Sequence, residues 1–177
     1  MYCLCHIVPQ VILKRFADDP TLSKKEQTVF ENTALLDKEL RKLRTQASKV
    51  TKLTMGLTPA LRALAPSPSI TIFDCAHATA LPGAPVAKPG NSADPTVKRA
   101  FEVTTALAQF YSTVFKRNSI DDAGMTLLSS VHYGVNYNNA FWNGTQMTYG
   151  DGDGAIFIDF TQGNDVIAHE ITHGITQ

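Results

Sequence analysis

The stretch Asp165-Val-Ile-Ala-His-Glu-Ile-Thr-His-Gly-Ile-Thr-Gln177 contains His169-Glu170-Ile171-Thr172-His173, an H-E-x-x-H pattern. On a helix, residues four apart share one face, so both imidazoles point the same way, one turn above the other. Two such rings can hold one zinc ion at about 2.0–2.1 Å each. Glu170 is turned about 100° from His169, which makes it a poor third ligand and a well-placed base for an attacking water. Asn164 and Asp165 can cap the helix start, and the Asp165 charge suits the helix dipole. Val166, Ile167, Ile171 and Ile175 supply an apolar side. Gly174 weakens the helix but lets another element approach closely. Taken alone, the five-residue pattern is weak, because motif matches of this length also arise by chance.

Working outward, the preceding residues read as β structure. Val131, Tyr133, Val135 and Tyr137 alternate with polar residues or glycine, the pattern of a half-buried antiparallel strand. Ala140-Phe-Trp142, the turn Asn143-Gly144 and the return strand Gln146–Tyr149 read as a hairpin. Asp151-Gly-Asp-Gly154 reads as a second turn. Asp151 and Asp153 resemble part of a calcium loop, but the other ligands of such a loop are missing. Ala155–Phe160 reads as a further strand leading into the closing helix. His77 and His132 have no companions at ligand spacing and are expected as core or surface histidines.

Upstream, Asp94-Pro95 opens a helix with a cap and a proline at its first position. Val97, Ala100, Phe101, Leu107, Ala108, Phe110, Tyr111, Val114 and Phe115 form its wide apolar face, with the exit near Asn118. Residues 59–95 are proline-rich and read as a linker holding one strand, Ile70–Phe73. Residues 1–58 are helical in pattern. Val11, Ile12, Leu13 and Phe16 make a short apolar turn, Ser23-Lys-Lys-Glu26 is a capping box, and Val29 to Val50 recur at helical spacing. Such a hairpin is too small to bury a core alone and needs a partner surface.

Composition bounds the function. With 44% hydrophobic and 18% charged residues, the 177-residue chain reads as globular. Its formal net charge is zero, so no field draws it to nucleic acid or an anionic membrane, and no run is long enough to span a bilayer. The first ten residues lack the basic lead and cleavage site of a secretory signal. Cys3 and Cys5 are too close for an unstrained bridge, so with Cys75 they imply no disulfide framework. A soft metal at Cys3-x-Cys5-His6 competes with simple packing beneath a helix.

Several stretches together resemble the thermolysin family of zinc metallopeptidases. They are Arg117–Ile120, Ser129–Gly134, Asn138-Asn-Ala-Phe-Trp-Asn-Gly144, Tyr149–Gly154 and Asp165–Gly174, in the family's order. The opening Cys5-His-Ile-Val-Pro9 resembles the short propeptide of the protealysin-like branch, although Gln10 stands where that branch has a second proline. The resemblance implies zinc on His169 and His173, Glu170 as the catalytic glutamate, and Asp165 as a first calcium ligand. It implies that Asn139, Ala140 and Trp142 belong to the edge strand that holds the substrate backbone, as strand addition of an extended peptide allows. Phe157 and Val166 fall where the family builds its pocket for an apolar side chain after the scissile bond; plain core packing is the alternative for both.

The expected architecture is therefore α+β: a propeptide-like helical segment (1–58), a Pro-rich linker (59–95) and a mainly antiparallel N-terminal lobe (96–177) with a core helix and a terminal zinc-binding helix. The family's third zinc ligand, its tetrahedral-intermediate donors and its helical C-terminal lobe lie beyond Gln177. The chain is thus expected to be an incomplete, inactive precursor fragment of a zinc endopeptidase. Its partners would be peptide or protein substrates and its own missing C-terminal lobe. Secretion by a route without a visible signal is expected, with a cytoplasmic location as the alternative. Two rival readings are a non-catalytic inhibitory module, whose helices at 10–53 block a peptidase cleft, and a structural β-module with incidental histidines.

Overall fold

A computed structural model describes residues 6–54 and 68–176. Cys3, Cys5, Pro59, Pro66 and the expected boundary at 58 lie outside the described residues. The N-terminal hairpin forms as its caps predict. Helix α1 (Gln10–Ala17) ends at Asp18, and helix α2 (Lys24–Thr54) follows. The capping box is made reciprocally: Ser23 N–H donates to Glu26 Oε2 at 2.7 Å, and Glu26 N–H donates to Ser23 Oγ at 3.3 Å. Leu13 and Phe30 are fully buried, whereas Val11, Ile12, Leu35 and Leu43 remain exposed.

The hairpin finds its partner surface in an aromatic cluster. Phe16 stacks on Phe30 with centroids 4.9 Å apart, and both meet the Phe157 ring, at 6.1 and 6.2 Å. Phe160 stacks behind Phe157 at 5.7 Å. Rings at these separations add attraction beyond their buried area.

The remaining elements are strands β1 (Ile70–Asp74) and β2 (Ala84–Pro85), helix α3 (Pro95–Phe115), strands β3 (Leu127–Val131), β4 (Ala140–Trp142) and β5 (Met147–Tyr149), and helix α4 (Asn164–Thr176). They form one five-stranded sheet in the order β2-β1-β3-β5-β4. The α+β expectation holds, but the sheet is mixed and not mainly antiparallel. Strand β1 pairs with β3 in parallel, as β3 does with β5; β1–β2 and β4–β5 are antiparallel. Helix α3 lies between β1 and β3 in sequence and makes the long crossover that a parallel pair requires. The strand expected within the Pro-rich stretch is β1, one residue longer than read, and β2 is a second, unexpected strand in the same stretch.

Two expected strands do not form. The alternating run from Val131 to Tyr137 stops being a strand at Val131. His132, Gly134 and Asn136 all have positive φ, at 52°, 70° and 52°, so the chain turns at every second residue. The alternation of burial survives in part, with Tyr133 and Tyr137 buried, but Val135 is exposed. Residues 155–159 are irregular because a side chain replaces the ladder: Asp153 Oδ1 accepts from the N–H groups of Ala155, Ile156 and Phe157 at 2.9, 2.9 and 3.0 Å. This bears out the reading of Asp153 as a turn residue.

Helix α3 starts as read, with Asp94 Oδ1 accepting from Thr96 and Val97 N–H. It ends earlier than expected, at left-handed Lys116 (φ 55°). Its apolar face is only partly used: Val97, Ala100 and Ala108 are buried, while Phe110, Val114 and Phe115 are exposed. None of the described helices is long and apolar enough to cross a membrane.

Candidate active site

Helix α4 puts the H-E-x-x-H residues where the helical periodicity predicts. Gly163 and the first turn are crowded: a Cβ on Gly163 would lie 2.8 Å from Asp165 Oδ1. At the other end, a Cβ on Gly174 would lie 2.8 Å from Ile120 Cδ1, so the glycine does admit a close neighbour. Ile167 and Ile171 are buried and fix the helix on the sheet. That anchoring leaves His169 exposed, with His173 partly so.

The two imidazoles converge. His169 Nε2 and His173 Nε2 are 2.7 Å apart and their ring centroids 4.4 Å apart. Tetrahedral zinc at about 2.0–2.1 Å from each nitrogen would hold them roughly 3.3 Å apart, so the pair faces a shared point and needs only a small spreading to take one ion. Among the described residues no group of three or more His, Cys, Asp or Glu side chains is placed to hold a metal. Asp165 is exposed in the first turn of α4. Glu170, between the two histidines in sequence, is fully buried. Burial holds the Tyr149 phenol well above its ordinary pKa, and the nearby Glu170 charge adds to that shift.

The second half of the site is the strand β4. Ala140, Phe141 and Trp142 pair with Tyr149, Thr148 and Met147 of β5 on one side. On the other side lies the chain's own N-terminal segment, running antiparallel: His6 bridges to Phe141, and Ile7 N–H donates to Ala140 O at 3.2 Å. The Asn139 side chain then clamps the next residue. Val8 N–H donates to Asn139 Oδ1 at 2.8 Å, and Asn139 Nδ2 donates to Val8 O at 3.0 Å. Asn139 and Ala140 thus hold an extended backbone by main-chain and amide hydrogen bonds. Trp142 is buried at the far end of β4. Phe157 and Val166 are partly buried against the main core, with Phe157 meeting Phe16 and Phe30.

Two polar clusters escaped the sequence reading. Asp37 of α2 is fully buried; it accepts from Tyr137 Oη at 2.5 Å and from Asn139 Nδ2 at 2.8 Å, and His6 Nε2 lies 3.3 Å away. Burial pushes its pKa up to about 7, against the lowering effect of those hydrogen bonds. His132 lies between two carboxylates, Nδ1 to Asp151 at 2.9 Å and Nε2 to Asp94 at 2.8 Å. The Asp151 hydrogen bond leads in raising its pKa to about 9, against desolvation. Its partners are 19 and 38 residues away, so no local spacing could have announced them.

Comparison with known proteins addresses the family directly. The model of the thermolysin metallopeptidase catalytic domain matches residues 62–177. The chain belongs to the thermolysin metallopeptidase family. Among thermolysin relatives, Protease PrtS of Photorhabdus sp. (strain Az29) is 45% identical over 109 residues, covering 60% of this chain and 29% of its own. Bacillolysin of Bacillus cereus is 44% identical over 117 residues, covering 62% and 20%. An extracellular metalloprotease of Pectobacterium carotovorum subsp. carotovorum is 46% identical over 109 residues, covering 60% and 31%. The structure of the precursor of protealysin, a metalloproteinase from Serratia proteamaculans, is similar over 97% of this chain, with a TM-score of 0.76 and 31% identity. That match extends the thermolysin likeness to the N-terminal helices. The chain spans less than a third of the length of these curated relatives and 46% of the precursor.

Proposed function

We propose that this chain is the covering segment and first lobe of a zinc-dependent endopeptidase that hydrolyses peptide or protein substrates. The observation that carries the reading is the convergence of His169 and His173 on one face of α4, with Glu170 buried beside them. In this reading residues 1–58 are propeptide-like, 59–95 connect, and 96–177 form the lobe. A catalytic zinc site has three protein donors and an open position, so activity needs a further donor and a second lobe. The coverage of the curated relatives supports that need.

Zinc, held by His169 and His173, would supply Lewis acidity toward a water and a peptide carbonyl. Glu170 takes the proton of the attacking water and later passes it to the leaving amine. Asn139 and Ala140 hold the substrate backbone extended along β4, and Trp142 continues that strand. Phe157 and Val166 line the pocket for an apolar side chain after the scissile bond. The N-terminal segment keeps this cleft covered until it is cut away, because Ile7 and Val8 use the same Ala140 carbonyl and Asn139 amide a substrate would use.

Calcium at Asp165 rests on the resemblance alone; a thermal midpoint of the full-length protein that ignores added calcium would remove it. Export from the cell is supported by the extracellular Pectobacterium relative, and recovery of the protein from culture supernatant tests it. A non-catalytic inhibitory module is the second reading, favoured by the same hold on β4. The experiment that separates the two is Glu170→Gln in the full-length protein. Zinc stoichiometry should stay unchanged while casein hydrolysis falls at least about a hundred-fold, the lower bound for loss of a general base. Undiminished hydrolysis would sink the role of Glu170, and a full-length wild type without hydrolysis would leave the inhibitory module standing.

A further inference from the structure

The buried contact between α2 and the substrate strand holds more than is needed to cover a cleft. Asp37 Oδ2 accepts from the Asn139 Nδ2 that also donates to Val8 O, and Asp37 Oδ1 accepts from Tyr137 Oη. Asn139 Oδ1 is thereby turned toward Val8 N–H and its neighbour Ala140 N–H, at 2.8 and 3.0 Å. His6 Nε2 lies 3.3 Å from Asp37 Oδ1, with both side chains fully buried. One carboxyl on the covering helix therefore fixes which way the Asn139 clamp faces, and it does so beside a histidine from the covered strand.

We propose that Asp37 and His6 form a proton-dependent latch on the Asn139 clamp, closed while the pair shares a proton and loosened when that proton is lost. The proposal rests on the reading of residues 6–54 as the cover of a peptidase cleft. Asp37 is a positioning residue: it acts on the backbone of the N-terminal segment only through the Asn139 amide.

The charged and titratable groups facing the latch come from each packed element. Arg41, on α2, favours the ionised carboxylate, and His6 is the group of the N-terminal segment. Tyr133 and Tyr137 face it from the lobe, both with phenols raised chiefly by burial and further by the Asp37 charge. Glu170 adds its charge to the Tyr137 side. Losing the shared proton would leave a buried carboxylate among these groups with a neutral imidazole next to it, which low-dielectric surroundings penalise.

The sign follows from linkage. A carboxyl whose pKa is raised from 3.8 to about 7 in the closed state binds its proton more tightly there. Once opened, the carboxylate stays ionised and His6 carries the proton only below its ordinary value of about 6.5, so closure is undiminished through mild acid and weakens as pH rises from about 6.5 through about 7. The cover is therefore tightest in acid and loosens toward neutrality.

The test uses the full-length precursor carrying Glu170→Gln, which prevents self-processing and removes the Glu170 charge. Hydrogen exchange at the Ile7 and Val8 amides, corrected for intrinsic rates, gives the opening constant of the cover at pH 5 and pH 8. We expect it to rise about three-fold between the two, the ratio set by the gap between the closed pair's value of about 7 and the ordinary histidine value of about 6.5. In the same background with Asp37→Asn the rise should be absent: His6 then has no carboxylate to share its proton with and gains one only on opening, so the constant should stay level or fall from pH 5 to pH 8. An equal rise with and without Asp37→Asn overturns the latch, as does a flat profile in the parent while both amides are protected. Both amides unprotected at every pH would instead overturn the covering reading itself. Should Asp37→Asn fail to fold, the parent profile alone still decides, because flatness refutes the latch.

Discussion

The two halves of the candidate site are built in opposite ways. On α4 the histidine donors stand exposed or half-exposed and converge on each other at 2.7 Å. On β4 every residue is buried, with one side in the sheet and the other occupied by the N-terminal segment. The chemical half is presented and the binding half is filled. In the proposed reading the described hold on β4 and the His169–His173 pair are separate contacts, so covering and chemistry can be probed by separate mutations.

The largest effect should come from the anchor of the cover. Phe30 is fully buried between Phe16 and Phe157, and Phe30→Ala should cost about 3–5 kcal/mol. If that cost falls on the cover alone, limited proteolysis of the full-length precursor will release the hairpin while the lobe's unfolding midpoint holds. A lobe that unfolds together with the hairpin would merge the two halves into one cooperative unit.

A smaller effect should follow at the clamp. Asn139→Ala removes the hydrogen bonds to Val8 and Asp37, worth about 1–3 kcal/mol together. Exchange at the Val8 amide should speed up about ten-fold or more, with Met147 in β5 unchanged. Equal acceleration at both amides would mean that Asn139 supports the sheet and not the cover.

The smallest concerns neither half but the frame beneath them. His132, charged up to about pH 9, ties the α3 cap residue Asp94 to Asp151. Its raised pKa means that its stabilisation is full below the ordinary histidine value of about 6.5 and is lost as pH rises through about 9. The group is partly open to solvent, so after screening we expect about 1 kcal/mol. Denaturant midpoints at pH 6 and pH 9.5 should differ by that amount in the wild type and not in His132→Asn, which tolerates the same left-handed backbone. A pH difference that persists in the variant would assign it to another group.

Legibility in the sequence followed the range of the interactions. The caps of α2 and α3, the helical face carrying His169 and His173, and the Asn143–Gly144 hairpin are local, and each was readable from residues within one turn. The parallel pairing of β1 with β3 was not, because register across a helical crossover leaves no local trace. Residues 131–137 misled because left-handed turns at every second residue imitate a strand's alternation of burial. Residues 155–159 misled because one side-chain oxygen, on Asp153, serves three backbone donors that a strand would pair with a neighbour. Of the candidate site, the convergence of His169 and His173 was legible as a motif, and the proposed role of β4 only through resemblance. Asp37 was invisible, since its partners His6, Tyr137 and Asn139 come from both ends of the chain.

If the N-terminal hairpin is cut away as proposed, the place of β1 and β2 in the sheet limits where the cut can fall. Severing the backbone anywhere from Ile70 to Pro85 would detach a strand from its parallel or antiparallel neighbour. A processing cut that discards the hairpin and spares the lobe therefore has a window bounded by Thr54 and Ser69. Within it the processed lobe would keep Ser69, whose carbonyl receives the Leu127 amide at 2.8 Å and whose hydroxyl meets Thr126 at 2.7 Å. From Ser69 the remaining chain would enter the sheet directly at β1, an inner strand held by β2 on one side and β3 on the other.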